Sequence, residues 1–268
     1  MTTDAAKNTG APGPAEDAGA GPVLRSLAFN IAFYGWTVLL LIVGLPLLLL
    51  PPVVATRFVV FWIDGSFWLL RVLCRLDYRI EGWENLPAGP VLVAAKHQSM
   101  WDTMVLFARL RRPVYVVKRE LGWIPIFGWF LRQQGMILID RRAGASAMRR
   151  LLDGAAATVA AGRAVIIFPE GTRTPPGSSH PYRAGIAGLY ERLAVPVVPV
   201  ALNSGLYWGR RAFLKRPGTI RLAFLPPIPP GLSRRDFLAR LAADIEDESL
   251  RLYAEGRADE KDPPAASA

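Results

Sequence analysis

The sequence predicts an α/β fold, a mixed sheet flanked by helices, preceded by an N-terminal membrane-embedded helical segment. Three observations predict it. From Asp77 onward, short apolar runs of strand length alternate with stretches of helical spacing. Between Arg25 and Arg57 lie 31 residues without a formal charge, long enough to span hydrocarbon. Several of the apolar runs end in Arg or Lys or in a Pro-Gly turn, as strands that open onto a ligand crevice do.

Met1–Pro22, rich in Ala, Gly, Pro and Asp, cannot bury a core, so residues 1–22 read as a disordered tail. Residues 23–76 read as membrane-embedded and interfacial helices. The apolar run is about twice a signal-peptide core and its leading tail is acidic, which argues against a cleaved signal. Pro46, Pro51 and Pro52 interrupt the run, which leaves a tilted span or a dip into one leaflet. Beyond them Arg57, Asp64, Arg71 and Arg75 fall on one helical face while Phe58, Phe61, Trp62, Ile63, Phe67 and Trp68 cover the rest. That pattern suits an interfacial helix, with a core helix as the alternative.

Residues 77–254 form the predicted catalytic-size domain. Candidate strands are Val91–Ala95, Val114–Val117, Met136–Ile139, Val165–Phe168, Val197–Ala201 and Ile220–Leu225. Met148, Leu151, Leu152, Ala155 and Val159 keep helical spacing, and Ser233-Arg-Arg-Asp236 reads as the capping start of a last helix through Leu252. Leu121–Phe130 is apolar and aromatic, and lines an acyl channel, faces a membrane or packs in the core. Residues 255–268 read as a second disordered tail.

Among the polar residues, His97 and Asp102 stand out, because the chain has two histidines and this one follows an apolar run. Residues five apart lie roughly 140° around a helix, so contact between them requires a strand-to-helix turn. Gln98-Ser99 breaks the strand and Met104-Val-Leu106 opens a helix, with Asp102 near its positive end. An Asp there holds the imidazole in one tautomer and leaves the other nitrogen as a proton acceptor; the plainer reading is a strand-end histidine beside a helix cap. Phe168-Pro-Glu-Gly-Thr-Arg173 follows another apolar strand. Pro169 ends that strand, Gly171 permits a tight turn, and Thr172 and Arg173 offer a hydroxyl and a fixed cation to an anion. Lys118 and Arg141 end two further strands and are placed to converge with Arg173 on one phosphate or carboxylate.

Taken together, these blocks resemble the glycerolipid acyltransferases of the 1-acylglycerol-3-phosphate acyltransferase type. The four blocks stand in order: His97-x4-Asp102, Gly135–Arg141, Pro169–Arg173 and Val195-Pro-Val-Val-Pro-Val200, with Lys96 where the first block often has Asn. The resemblance spans roughly Leu24 to Leu252. It implies transfer of a fatty acyl chain from an acyl thioester, acyl-CoA or acyl carrier protein, to the sn-2 hydroxyl of lysophosphatidate. It implies His97 as general base with Asp102 orienting it, and Glu170, Gly171 and Arg173 with Thr172, Lys118 and Arg141 at the glycerol phosphate. No cofactor beyond the thioester co-substrate is expected, and no covalent enzyme intermediate, since the thiol is a good leaving group and no Gly-x-Ser-x-Gly elbow occurs. A different acceptor, such as a lyso-aminolipid, and a non-catalytic membrane adaptor are the alternatives.

Composition agrees. The net charge is +10 with pI near 10.2, but the cations are scattered rather than striped, which favours membrane lipid and acidic carriers over nucleic acid. One cysteine, Cys74, excludes an internal disulfide, and with two histidines a zinc site is not expected. Arginines after the apolar run and an acidic tail before it predict a cell (inner) membrane protein whose catalytic domain faces the cytoplasm.

Overall fold

The computed structural model describes residues 19–140 and 142–261. Residues 1–18 and 262–268, which carry most of the first expected tail and half of the second, and Arg141 lie outside the described residues.

Two long helices come first, α1 (Ala20–Val43) and α2 (Pro52–Cys74), joined by a 3-10 turn over Leu45–Leu49. Pro46 sits in the first turn of that 3-10 segment and Pro52 opens α2, so the prolines do not kink a helix. They make the corner between two. Both helices are long and apolar enough to cross a membrane. They pack on one another through Trp62, whose indole N–H donates to Thr37, and Trp36, whose indole donates to the Trp62 carbonyl.

The sheet has seven strands in the order β1-β7-β6-β2-β5-β3-β4. They are β1 (Leu76–Glu81), β2 (Leu92–Ala95), β3 (Val114–Lys118), β4 (Ile137–Ile139), β5 (Val165–Ile167), β6 (Val197–Leu202) and β7 (Gly218–Phe224). β2 pairs in parallel with β5 and β6, β3 with β5 and β4, and β1 with β7, whereas β6 and β7 run antiparallel. The expected mixed sheet is therefore observed. β1 was not among the predicted strands. Its Leu-Asp-Tyr-Arg-Ile-Glu alternation is that of an edge strand with one buried face, unlike the continuous apolar runs of the interior strands.

β2 lies in the middle and is buried at all four positions. From it the chain leaves through α3 (Met100–Arg109) toward β3, and returns from β5 through α6 (Ala184–Leu193) to β6 on its other side. α3 packs with α2 on one face of the sheet, while α5 (Gly144–Ala160), α6 and α8 (Arg234–Lys261) cover the other. The carboxyl ends of β2, β5, β3 and β4 consequently line one edge, between helices on opposite faces.

Two boundaries move. α1 starts at Ala20, inside the tail expected to reach residue 22. α8 runs to Lys261, past the expected domain end at 254 and the expected helix end at Leu252. Charge pairing extends it: Arg251 pairs with Glu248 and Glu255, and Arg221 of β7 reaches Glu255 and Asp259. At its start, Ser233 Oγ accepts the N–H of Asp236, the cap read from sequence.

α2 is neither a free interfacial helix nor a core helix. Ile63, Phe67 and Leu70 are buried, Asp64 pairs with Arg109 of α3 and Arg71 with Asp77 of β1. Phe61, Trp68 and Val72 stay exposed. Arg75, expected on the charged helical face, is instead the left-handed cap that ends the helix. Between β3 and β4, Trp123, Ile124, Phe127 and Trp129 are also exposed while Phe130 is buried, so most of the large side chains of Leu121–Phe130 face outward and its end turns into the core.

Candidate active site

Ser99 is the N-cap of α3, in an extended conformation, and its side chain accepts the Trp101 N–H at 3.2 Å. Asp102, at the third helical position, closes the capping box by accepting the Ser99 N–H at 2.8 Å. The same carboxylate oxygen accepts the Gln98 N–H at 2.7 Å and lies 3.1 Å from His97 Nδ1. The cap and the imidazole partner thus prove to be one group. The turn does what the spacing required: it leaves the strand after Ala95, starts the helix at Met100, and folds the side chains five residues apart onto each other.

Because Asp102 presents an oxygen to Nδ1, that nitrogen carries the proton and Nε2 is left as the acceptor. Nε2 has no hydrogen-bond partner among the described residues, and the His97 side chain is 16% exposed. The ring lies flat on Phe168, centroids 3.9 Å apart and planes 16° from parallel, which restricts its rotation. The other oxygen of Asp102 accepts a 2.5 Å hydrogen bond from Ser204, on the short helix α7 (Ser204–Tyr207). Ser204 was not singled out in the sequence, since no motif surrounds it. Ser99 is committed to the helix cap and fully buried, so it makes no accessory contact with the ring nitrogen.

The turn after β5 comes next along the same sheet edge. Gly171 adopts φ +68°, the left-handed conformation that its sequence position suggested. Glu170 departs from the substrate-contact role implied by the family resemblance. Its side chain is buried and faces inward, bound to the His97 N–H at 3.0 Å, the Thr174 hydroxyl at 2.8 Å and Lys96 at 2.7 Å. A carboxylate so occupied is a structural brace for the loop, and an anionic phosphate would repel it.

Arg173 is the group with capacity to spare. Among the described residues it forms no ion pair with a carboxylate. Burial, and then the neighbouring Arg210, push its pKa below the usual guanidinium range; Asp102 acts the other way and Arg211 adds to the lowering. An arginine held among arginines near the Asp102 carboxylate is a site that an anion would relieve. Arg210 and Arg211 were missed in the sequence, where they look like ordinary loop charge; α7, hung on Asp102 and on Gln98 through the Gly205 N–H, is what brings their loop here. Thr172 is partly exposed, and Lys118 is exposed at the end of β3 on the same sheet edge. Arg141 lies outside the described residues, after Asp140, which pairs with Arg119.

Residues 77–203 match the acyltransferase family. The 1-acyl-sn-glycerol-3-phosphate acyltransferase of Pseudomonas aeruginosa is 38% identical over 171 residues, 63% of this chain and 66% of that protein. Over residues 77–203, a little under half of its length, the chain is similar to the acyltransferase family. The enzyme of the same name from Saccharomyces cerevisiae is 28% identical over 70% of this chain and 64% of its own length, and a mouse 1-acyl-sn-glycerol-3-phosphate acyltransferase alpha is 29% identical over 85% and 81%. The chain thus spans just under two thirds of the bacterial and yeast relatives. The crystal structure of the 1-acyl-sn-glycerophosphate acyltransferase PlsC from Thermotoga maritima superimposes with a TM-score of 0.71 over 87% of this chain and 98% of its own, at 22% identity. The two share a fold.

Proposed function

We propose that this acyltransferase moves a fatty acyl chain from an acyl thioester to the sn-2 hydroxyl of 1-acylglycerol-3-phosphate, giving phosphatidic acid for phospholipid synthesis. The observation that carries the reading is a base fixed by Asp102, on the same sheet edge as an arginine, where among the described residues neither Nε2 nor the guanidinium has a carboxylate partner. His97 takes the hydroxyl proton as the oxygen attacks the thioester carbonyl; the imidazolium is balanced by Asp102, and the thiolate leaves and is protonated. The thioester is the sole co-reactant, acyl-CoA or acyl carrier protein, and the basic chain suits either acidic donor. The relatives' names favour lysophosphatidate over a lyso-aminolipid.

The cation gives this reading its test. Arg173→Ala should raise the apparent KM for lysophosphatidate roughly ten- to a hundredfold, the loss of a charge-assisted hydrogen bond of about 1.5–3 kcal/mol, while leaving the KM for the acyl donor within about twofold. The same variant should show no comparable change with monoacylglycerol, which lacks the phosphate. Equal acceptor dependence in wild type and variant would remove Arg173 from the phosphate site.

The membrane is the source of the acceptor. Leu24, Leu27, Ile31, Tyr34, Val38 and Ile42 on α1 are exposed, as are Phe61 and Trp68 on α2 and Trp123 and Trp129 before β4. An open apolar surface of this extent suits lipid. α2, about 35 Å long at 1.5 Å per residue, is tied to the catalytic domain at both ends, Thr56 to Gln134 and Arg71 to Asp77. A hairpin held along its domain is suited to lie in one leaflet of the inner membrane with the domain on the cytoplasmic side. Alkaline carbonate washing should leave the protein in the membrane pellet; release into the supernatant would reduce the hairpin to a peripheral contact.

A further inference from the structure

Both peptide groups of the catalytic histidine are gripped by the loop after β5. Glu170 accepts the His97 N–H at 3.0 Å, and the Thr174 N–H donates to the His97 carbonyl at 2.8 Å. Thr174 is itself fixed by its hydroxyl, 2.8 Å from Glu170. The brace therefore turns on one carboxylate with no exposed side-chain surface. What balances it is Lys96, the residue immediately before His97, 1% exposed. Its ammonium lies 2.7 Å from Glu170, 2.6 Å from Glu246 of α8 and 2.9 Å from the Ser178 carbonyl. Three N–H donors thus face three acceptor groups, Glu246 presenting both of its oxygens. Glu246 also accepts the Tyr182 hydroxyl at 3.1 Å.

Resting on the acyl-transfer reading above, we propose that Lys96 is a positioning residue for the reaction. It fixes the Glu170 carboxylate that holds the His97 main chain, and through Glu246 it anchors that brace to the C-terminal helix. A lysine so deep is expensive unless it is paired. Its partners come from segments about seventy and a hundred and fifty residues away, so the pairing converts the docking of α8 into the placement of a ring beside Asp102. Without the ammonium, Glu170 would be an uncompensated buried charge and would draw in a proton or water, loosening its hold on His97.

The logic predicts a non-additive pair. Lys96→Met should lower kcat tenfold or more with the acceptor KM within about twofold. Lys96→Met with Glu170→Gln should recover most of that loss, because the glutamine oxygen still accepts the His97 N–H and no fully buried charge is stranded: Glu246, 19% exposed, keeps solvent and the Tyr182 hydroxyl. If Lys96→Met alone does not fold, the double variant is compared with Glu170→Gln: the lysine acts through Glu170, so its removal in that background should cost no more than about twofold, and a tenfold loss there overturns the proposal. kcat is read with whichever lysolipid the wild type acylates, which separates this outcome from a wrong acceptor. The imidazole NMR signals supply a readout independent of turnover, since His97 has only His180 beside it in the chain. The His97 ring resonances should shift in Lys96→Met and return toward wild type in the double variant. Unchanged ring resonances and kcat in a Lys96→Met protein that merely melts earlier would make Lys96 a stabilising residue only.

Discussion

His97→Ala should lower acyl transfer by about 10²–10⁴-fold while folding and membrane attachment stay intact. The side chain contributes a hydrogen bond to Asp102 and a stacked contact with Phe168, but the grip on the segment runs through its backbone N–H and carbonyl, which alanine keeps. Asp102 retains the Gln98, Ser99 and Ser204 donors in the variant. Circular dichroism and sedimentation with vesicles check the fold, and turnover with lysophosphatidate checks the chemistry. Turnover comparable to wild type would remove the general base from the mechanism.

Asp102→Asn isolates the charge. Two backbone N–H groups and the imidazole Nδ1–H converge on one carboxylate oxygen, so the asparagine oxygen is compelled to take that position and its amide to face Ser204, whose hydroxyl can turn and accept. The ring keeps its tautomer and loses only the anion that stabilises the imidazolium. kcat should fall about a hundredfold or more with the acceptor KM little changed and the melting temperature close to wild type. Asp102→Ala should add a stability loss of about 1–2 kcal/mol, since the buried Gln98 and Ser99 N–H groups lose their acceptor while the Ser99 cap stays. A kcat within a few fold of wild type in Asp102→Asn would mean that Asp102 orients the ring and does nothing more.

Much of the fold was legible because the interior strands are unbroken apolar runs and their ends are punctuated by Pro, Gly and cations. The His97–Asp102 contact was legible for a local reason: one strand-to-helix turn builds it within six residues. What the sequence hid is long-range. Glu170 belongs to a block that suggests phosphate contact, yet it points inward because Lys96 waits there, and Lys96 is held by a glutamate on the last helix. Ser204, Arg210 and Arg211 carry no local signal and reach the site only because α7 docks on Asp102 and Gln98. β1 was missed because one buried face leaves a charged, alternating strand. The end of α8 was missed because acidic and basic residues that look like a solvated tail pair with one another and with β7.

The most direct measurement follows a labelled acyl thioester, from CoA and from acyl carrier protein, on the purified protein in lipid, with and without lysophosphatidate. Label should appear at the sn-2 position of phosphatidate with at least one donor, thiol release should require the acceptor, and none of the label should stay on the protein, because base-assisted attack by the lipid hydroxyl needs no acyl-enzyme. A burst of thiol with labelled protein in the absence of acceptor, or label on a lyso-aminolipid but never on lysophosphatidate, would contradict the account.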